Sequence, residues 1–260
     1  MKRLSLLITA GGTREGIDSV RCITNISTGK TGAAIADRFI RAGSDVVYIC
    51  GKDAAAPYHK PRLTARVESA RELCGSLETM LRRESFDCVI HSMAVSDYTP
   101  RSVMTDDELV RTVTSAIEKS DGEAAAGRVR DAILNAVKGV DAERKIESGA
   151  EALFIALERA PKAIQLIKSI RPSALLVGFK LSSGSDEVAQ FKAGYSLISS
   201  SGCELVVAND TSGLTDKQHR AFIMDRNGIL RHATNKREIA DTLYECVVER
   251  LLVKSVQAST

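Results

Sequence analysis

The residues best suited to chemistry in this chain are those that hold phosphate. Asn25-Ile26-Ser27-Thr28-Gly29-Lys30-Thr31-Gly32 precedes a stretch, residues 33–42, with the apolar spacing of a helix. Ser27 and Thr28 can cap that helix while amides near Gly29 face an anion, because a helix start presents unpaired N–H groups and the positive end of the dipole. Gly29-Lys30-Thr31 tempts a P-loop reading, but the glycine required five positions earlier is Thr24 here, so the motif fails. A second glycine turn, Thr9-Ala10-Gly11-Gly12-Thr13, ends the first apolar run, although a double glycine alone is also a simple tight turn. Three further apolar runs end in polar residues: 88–94 leads into Asp97, 175–179 into Lys180, and 204–208 into Asn209-Asp210. A carboxylate there can hold a hydroxyl or a metal-bound phosphate, and a lysine can neutralise a phosphate or a developing negative charge. Taken singly, each also suits a solvated loop. His59, His91, His219 and His232 have no metal-ligand spacing and no nucleophile elbow nearby, and are assigned no catalytic role. Cys88 and His91 sit three apart on a predicted strand, so they point to opposite faces and form no pair.

Such residues meet only if a parallel sheet brings its strand ends together. Strand-length runs at 4–9, 45–50 and 88–94 alternate with helix-length stretches at 33–42 and 70–82. The rhythm resumes with a helix at 161–170, a strand at 175–179, a helix at 186–199 and a strand at 204–208. That alternation predicts parallel strands with crossover helices, and ligands in such sheets bind at the carboxyl ends of the strands. The end differs: 220–225 and 229–232 flank Asn227-Gly228, a hairpin turn signal, and a closing helix over 236–252 starts behind a Thr234-Asn235 cap. Residues 98–144 break the rhythm, with a helix opening at 105–108 and no strand. They are predicted to hold an insertion at 100–144 whose middle, 119–127, is its mobile part.

Composition narrows the classes. A length of 260 residues, at about 150 per domain, leaves room for one large domain or two small ones. Hydrophobic content of 44% with 27% charged residues excludes disorder of the bulk. A net charge of +3 with scattered basic residues, no Trp and 4% aromatics argue against a nucleic-acid face. The runs at 4–9 and 174–179 are far short of the ~20 residues that span a bilayer, and the start reads as a strand and not as a leader, so a cytoplasmic protein is expected. Cys22, Cys50, Cys74, Cys88, Cys203 and Cys246 show no C-x-x-C spacing, which leaves zinc, redox and disulfide motifs unsupported.

In order and spacing, ITAGGTRE, VRCITNISTGKTG, MAVSDY, RKIESG, LVGFKL and VVAND resemble the phosphopantothenate–cysteine ligases over nearly the whole chain. The look is that of the stand-alone bacterial form, with no flavin-dependent decarboxylase half before the first strand. The resemblance implies a nucleoside triphosphate, CTP in preference to ATP, accompanied by Mg2+. It implies that the 4′-phosphopantothenate carboxylate is activated as an acyl-nucleotide with release of pyrophosphate, and that L-cysteine then forms the amide. It also implies a homodimer. Asn25 matches the family asparagine that holds the acyl-nucleotide. Ser27, Gly29 and Gly32 match the triphosphate cradle, with Gly11 on the nucleotide side. Ala94 and Asp97 match the pocket shared by nucleotide and phosphopantothenate, while Phe179 packs on the nucleotide beside Asn209. Lys145 matches the first lysine of a mobile flap, and Lys180 the lysine of the FKL motif; metal-contacting groups are not assigned. Two departures stand out: Ile146-Glu147-Ser148-Gly149 replaces a run of flap lysines, and Leu197-Ile198-Ser199-Ser200-Ser201 stands where bifunctional members place two lysines on a helix. Lys192, on the same predicted helix, reaches the triphosphate only from a different turn.

The expected fold is α/β, one Rossmann-like, doubly wound, mainly parallel domain over 1–260 with helices on both faces, the helical insertion, and a C-terminal hairpin plus helix. The rivals are an NAD(P)-dependent oxidoreductase, which lacks its GxGxxG and the acidic residue ~20 positions on, and a non-catalytic nucleotide-binding subunit suggested by the thinned lysines. Pyrophosphate release separates the last from a ligase.

Overall fold

In the computed structural model, residues 3–118, 125–135, 151–184, 186–210 and 219–257 are described. In chain order the elements are β1 (Ser5–Ala10), β2 (Arg14–Gly16), β3 (Cys22–Thr24), α1 (Lys30–Arg41), β4 (Asp45–Gly51), β5 (Leu63–Val67), α2 (Ala70–Arg83), β6 (Cys88–His91), β7 (Tyr98–Thr105) and α3 (Asp106–Glu118). They continue with α4 (Ala125–Asn135), β8 (Leu153–Arg159), α5 (Ala163–Ile170), β9 (Leu175–Ser182), α6 (Glu187–Ser201), β10 (Leu205–Asp210), β11 (Ala221–Asp225), β12 (Gly228–Ala233) and α7 (Lys236–Gln257).

The expectation of one domain with an insertion at 100–144 gives way to two compact units. Met1–Thr13, Ile26–Val95 and Lys162–Thr260 make the first, and Arg14–Asn25 with Ser96–Pro161 the second. The physical reason is strand pairing: β2 pairs with β3 and β7 with β8, all antiparallel and all outside the large sheet.

The first unit carries an eight-stranded sheet in the order β12-β11-β10-β9-β6-β1-β4-β5. Its parallel strands, counted as first to sixth along the chain, run 3-2-1-4-5-6, the doubly wound order whose switch point lies between β1 and β6. Period-two alternation splits the strands between two cores. Leu6, Ile8 and Ala10 pack with Phe39 of α1 and Leu243 of α7, while Leu7 packs with Leu73 and Leu77 of α2 and Ile167 of α5. Burying each such side chain fully is worth about 1.5–3 kcal/mol, so the sheet is held from both faces. Helix ends follow local chemistry. Ser69 Oγ accepts from Glu72 N (3.2 Å), Asp186 from Ala189 N (2.7 Å) and Asn235 Oδ1 from Glu238 N (3.0 Å). The Asn227-Gly228 turn closes β11 on β12 as its sequence predicts.

In the second unit, the segment expected to hold no strand contains β7, whose pairing register runs from Tyr98 opposite Arg159 to Thr105 opposite Leu153. Thr105 and Glu108 start α3 reciprocally: Thr105 Oγ1 accepts from Glu108 N (3.2 Å) and the Glu108 carboxylate from Thr105 N (2.9 Å). Most of the expected mobile piece, 119–124, lies outside the described residues.

Candidate active site

At the switch point of the first unit's sheet, the segments that follow β1 and β6 stay stitched beyond the strands' paired register, with Gly12 bridging Ala94. Gly11 takes a left-handed turn (φ 86°), its carbonyl accepts from Ala94 N (2.8 Å), and Thr13 N donates to the Ala94 carbonyl (3.2 Å). Beneath this stitch, the Thr9 hydroxyl bonds His91 Nδ1 (2.8 Å) and accepts from Met93 N (3.3 Å), and the Ser92 hydroxyl donates to the Thr9 carbonyl (2.6 Å). Burial pushes the His91 imidazole down to about 4, so it stands there as a neutral ring.

Gly29 starts α1 in a left-handed conformation (φ 71°), and no side chain caps the helix. The expected Ser27 and Thr28 cap is therefore corrected: Thr28 Oγ1 stands 3.5 Å from Lys30 N, at the limit of a hydrogen bond, because the backbone turns at Gly29 instead. The turn is braced from behind. A Cβ on Gly29 would come within 2.9 Å of Ala54 Cβ; Ala55 N donates to the Thr28 carbonyl (2.9 Å), and the buried Tyr48 hydroxyl donates to the Ala55 carbonyl (2.8 Å). Gly32 lets α1 approach the sheet, since a Cβ there would lie 2.5 Å from Ala10 Cβ and 2.7 Å from Ser92 Oγ.

These elements enclose a cavity of about 520 Å3 over the strand ends, within the usual range for small-molecule sites. Ser27, Gly29, Gly32, Ala94, Phe179 and Asn209, each picked out in the sequence, all line it. Its described lining includes Lys30 and Lys236 and no Asp or Glu, so it is built for an anion. Gly11 supports the floor without lining it. Lys180 is exposed and not among the lining residues, although its neighbours Phe179 and Leu181 are, as strand alternation requires. Lys192 on α6 is also exposed and outside the lining. Asn25 and Asp97 belong to the second unit, where both are exposed and the Asp97 carbonyl accepts from Ala160 N (3.0 Å). Lys145 lies outside the described residues.

Sequence reasoning missed His219 and Lys236. The buried Asn209 places Nδ2 2.9 Å from His219 Nε2. Burial first, and the Lys236 charge second, lower the His219 pKa and keep the ring neutral. The ten-residue gap between Asn209 and His219 gives no local signal, because the return of β11 beside β10 is what brings them together. No group of three or more His, Cys, Asp or Glu side chains suited to a metal occurs among the described residues.

The strand order, the switch-point cavity and the glycine-started α1 define a Rossmann-like α/β protein with a lysine-lined pocket. The chain belongs to the family described as DNA/pantothenate metabolism flavoprotein C-terminal domain, whose profile matches residues 1–107 and 101–251. It is 29% identical over 248 residues to the coenzyme A biosynthesis bifunctional protein CoaBC of Thermococcus kodakarensis, covering 95% of this chain and 51% of that protein. The chain thus spans about half the length of the curated relatives it matches over most of its length. Among solved structures it resembles the DNA/pantothenate metabolism flavoprotein of Streptococcus pneumoniae, with a TM-score of 0.74, 29% identity and coverage of 99% of this chain and 100% of that one. A mutant of Cab2 in complex with phosphopantothenate-cysteine shares the fold at 18% identity and a TM-score of 0.67, covering 99% of this chain and 89% of that one.

Proposed function

We propose that this chain is a phosphopantothenate–cysteine ligase of coenzyme A biosynthesis. A cavity whose described lining has lysines and backbone amides but no acidic side chain, at the switch point of a doubly wound sheet, is the observation that carries this reading. The family membership, and relatives named for coenzyme A biosynthesis, support it.

In the first step a carboxylate oxygen of 4′-phosphopantothenate attacks the nucleotide α-phosphorus, and the bond to the bridging oxygen breaks to release pyrophosphate. In the second, the cysteine amine attacks the acyl carbon, loses a proton, and expels the nucleoside monophosphate. Neither step needs a protein nucleophile; both need charge neutralisation and alignment. Ser27, Gly29 and Gly32 cradle the triphosphate at the start of α1. Phe179 packs on the base with Asn209, oriented by His219, beside it, and Ala94 forms the wall next to the reacting phosphate. Asn25 holds the acyl-nucleotide, Asp97 binds phosphopantothenate, and Lys145 and Lys180 supply further positive charge. Mg2+ is proposed to enter with the nucleotide substrate, bound to its phosphates. CTP is the proposed nucleotide. A homodimer is proposed as well, and the apolar side chains left exposed on β8 support it.

The test mixes the protein with phosphopantothenate, cysteine, magnesium and either CTP or ATP and follows pyrophosphate. Release dependent on phosphopantothenate is expected, faster with CTP. No release with either nucleotide would overturn the reading.

A further inference from the structure

We infer that Lys236, the first residue of α7, is a phosphate-binding residue of this cavity, pairing with the nucleotide's phosphates and with the pyrophosphate they become. The helix start that carries it is held firmly. Asn235 Oδ1 accepts from Glu238 N (3.0 Å), and the Glu238 carboxylate accepts from Thr234 N (2.8 Å) and from the Thr234 hydroxyl (2.6 Å). Lys236 is half-buried and lines the cavity together with Gly29, Lys30 and His219. Among the described residues it makes no ion pair and no hydrogen bond through its side chain, and the acids around it are already engaged. Glu238 is committed to Thr234 and Asn235. Asp241 binds Arg38 (2.7 Å) and lies 3.8 Å from Arg237. Asp37, across a neighbouring hollow that Lys236 also borders, accepts from the backbone N–H groups of Tyr58 (2.9 Å) and His59 (2.7 Å).

A half-buried ammonium without a counter-ion is unfavourable, and an anion in the cavity relieves it. The positive end of α7 adds to the same field. No alternative cation comes from α6, where Ser199, Ser200 and Ser201 occupy the last turn and Lys192 is exposed outside the lining. Within the described lining the cationic side chains are therefore Lys30 of α1 and Lys236 of α7.

The naming of the nucleotide rests on the ligase reading, but the anion itself can be tested without it. Pyrophosphate and CTP binding would be measured by calorimetry on wild type, Lys236→Gln and Lys236→Arg, with Lys60→Gln as a control distant in the sequence. The expected result is about tenfold weaker pyrophosphate binding in Lys236→Gln, recovery in Lys236→Arg, and wild-type affinity in the control. In the coupled assay, KM for the nucleotide rises by a similar factor while KM for cysteine and the melting temperature hold. Unchanged pyrophosphate affinity in Lys236→Gln, or no pyrophosphate binding by the wild type, overturns the inference. Wild-type protein that binds pyrophosphate through Lys236 yet releases none from substrates overturns the ligase reading alone.

Discussion

Strand β1 of the first unit and strand β8 of the second are both rich in apolar residues, SLLITA against LFIALER, yet they meet opposite fates. Leu6, Leu7 and Ile8 are fully buried, whereas Leu153, Phe154, Ile155 and Leu157 remain 38–45% exposed. β1 has a strand on either side and helices over both faces, while β8 pairs only with β7. Apolar sequence therefore makes a core only where enough neighbours converge. The first unit is closed around a cavity, and the second leaves apolar side chains of β8 exposed.

The largest expected effect is in the closed region. Gly32→Val should cost about 3 kcal/mol, because its side chain would overlap Ala10 and Ser92, and it should abolish nucleotide binding. Urea denaturation and calorimetry measure the two losses, and wild-type values in both would show that the α1–sheet contact is slack. A comparable effect comes from pH. His91 binds a proton near 6.5 when unfolded but only at about 4 when folded, so above pH 6.5 it contributes no pH dependence. As pH falls from 6.5 to 4 the unfolded state takes up the proton first, and stability drops by up to about 3 kcal/mol. His91→Gln should flatten that slope between pH 6.5 and 5 in urea midpoints, and an unaltered slope would mean that the imidazole is not held neutral. The smallest folding effect is expected on the ribbon: Phe154→Asp should change the stability of the isolated chain by less than about 0.5 kcal/mol. It should still convert the proposed homodimer to monomer in light scattering, and a dimer of unaltered mass would place the interface elsewhere.

The large sheet was legible because its strands are uniform apolar runs separated by amphipathic helices; of the lining residues, Ser27, Gly29 and Asn209 were legible at a helix start or strand end, while Gly32, Ala94 and Phe179 came from the family resemblance of their motifs. What escaped follows a pattern. β5 is an edge strand, LTARV, whose polar alternation gives a weak signal. β8 shows no buried face, so no period marks it as half of a pair. The short hairpin β2–β3 holds too few residues to display any period.

From the sequence alone come the doubly wound rhythm, the Asn227-Gly228 hairpin and the capped start of α7, because each depends on residues within a few positions of one another. Only the tertiary structure decides which side of β9 faces the cavity, and it selects Phe179 over Lys180. It also brings His219 onto Asn209, sets Lys236 at the rim, and separates a second unit from the first. A local pattern fixes a period, but the phase of that period and the partners of a strand are set by pairing between segments far apart in the chain.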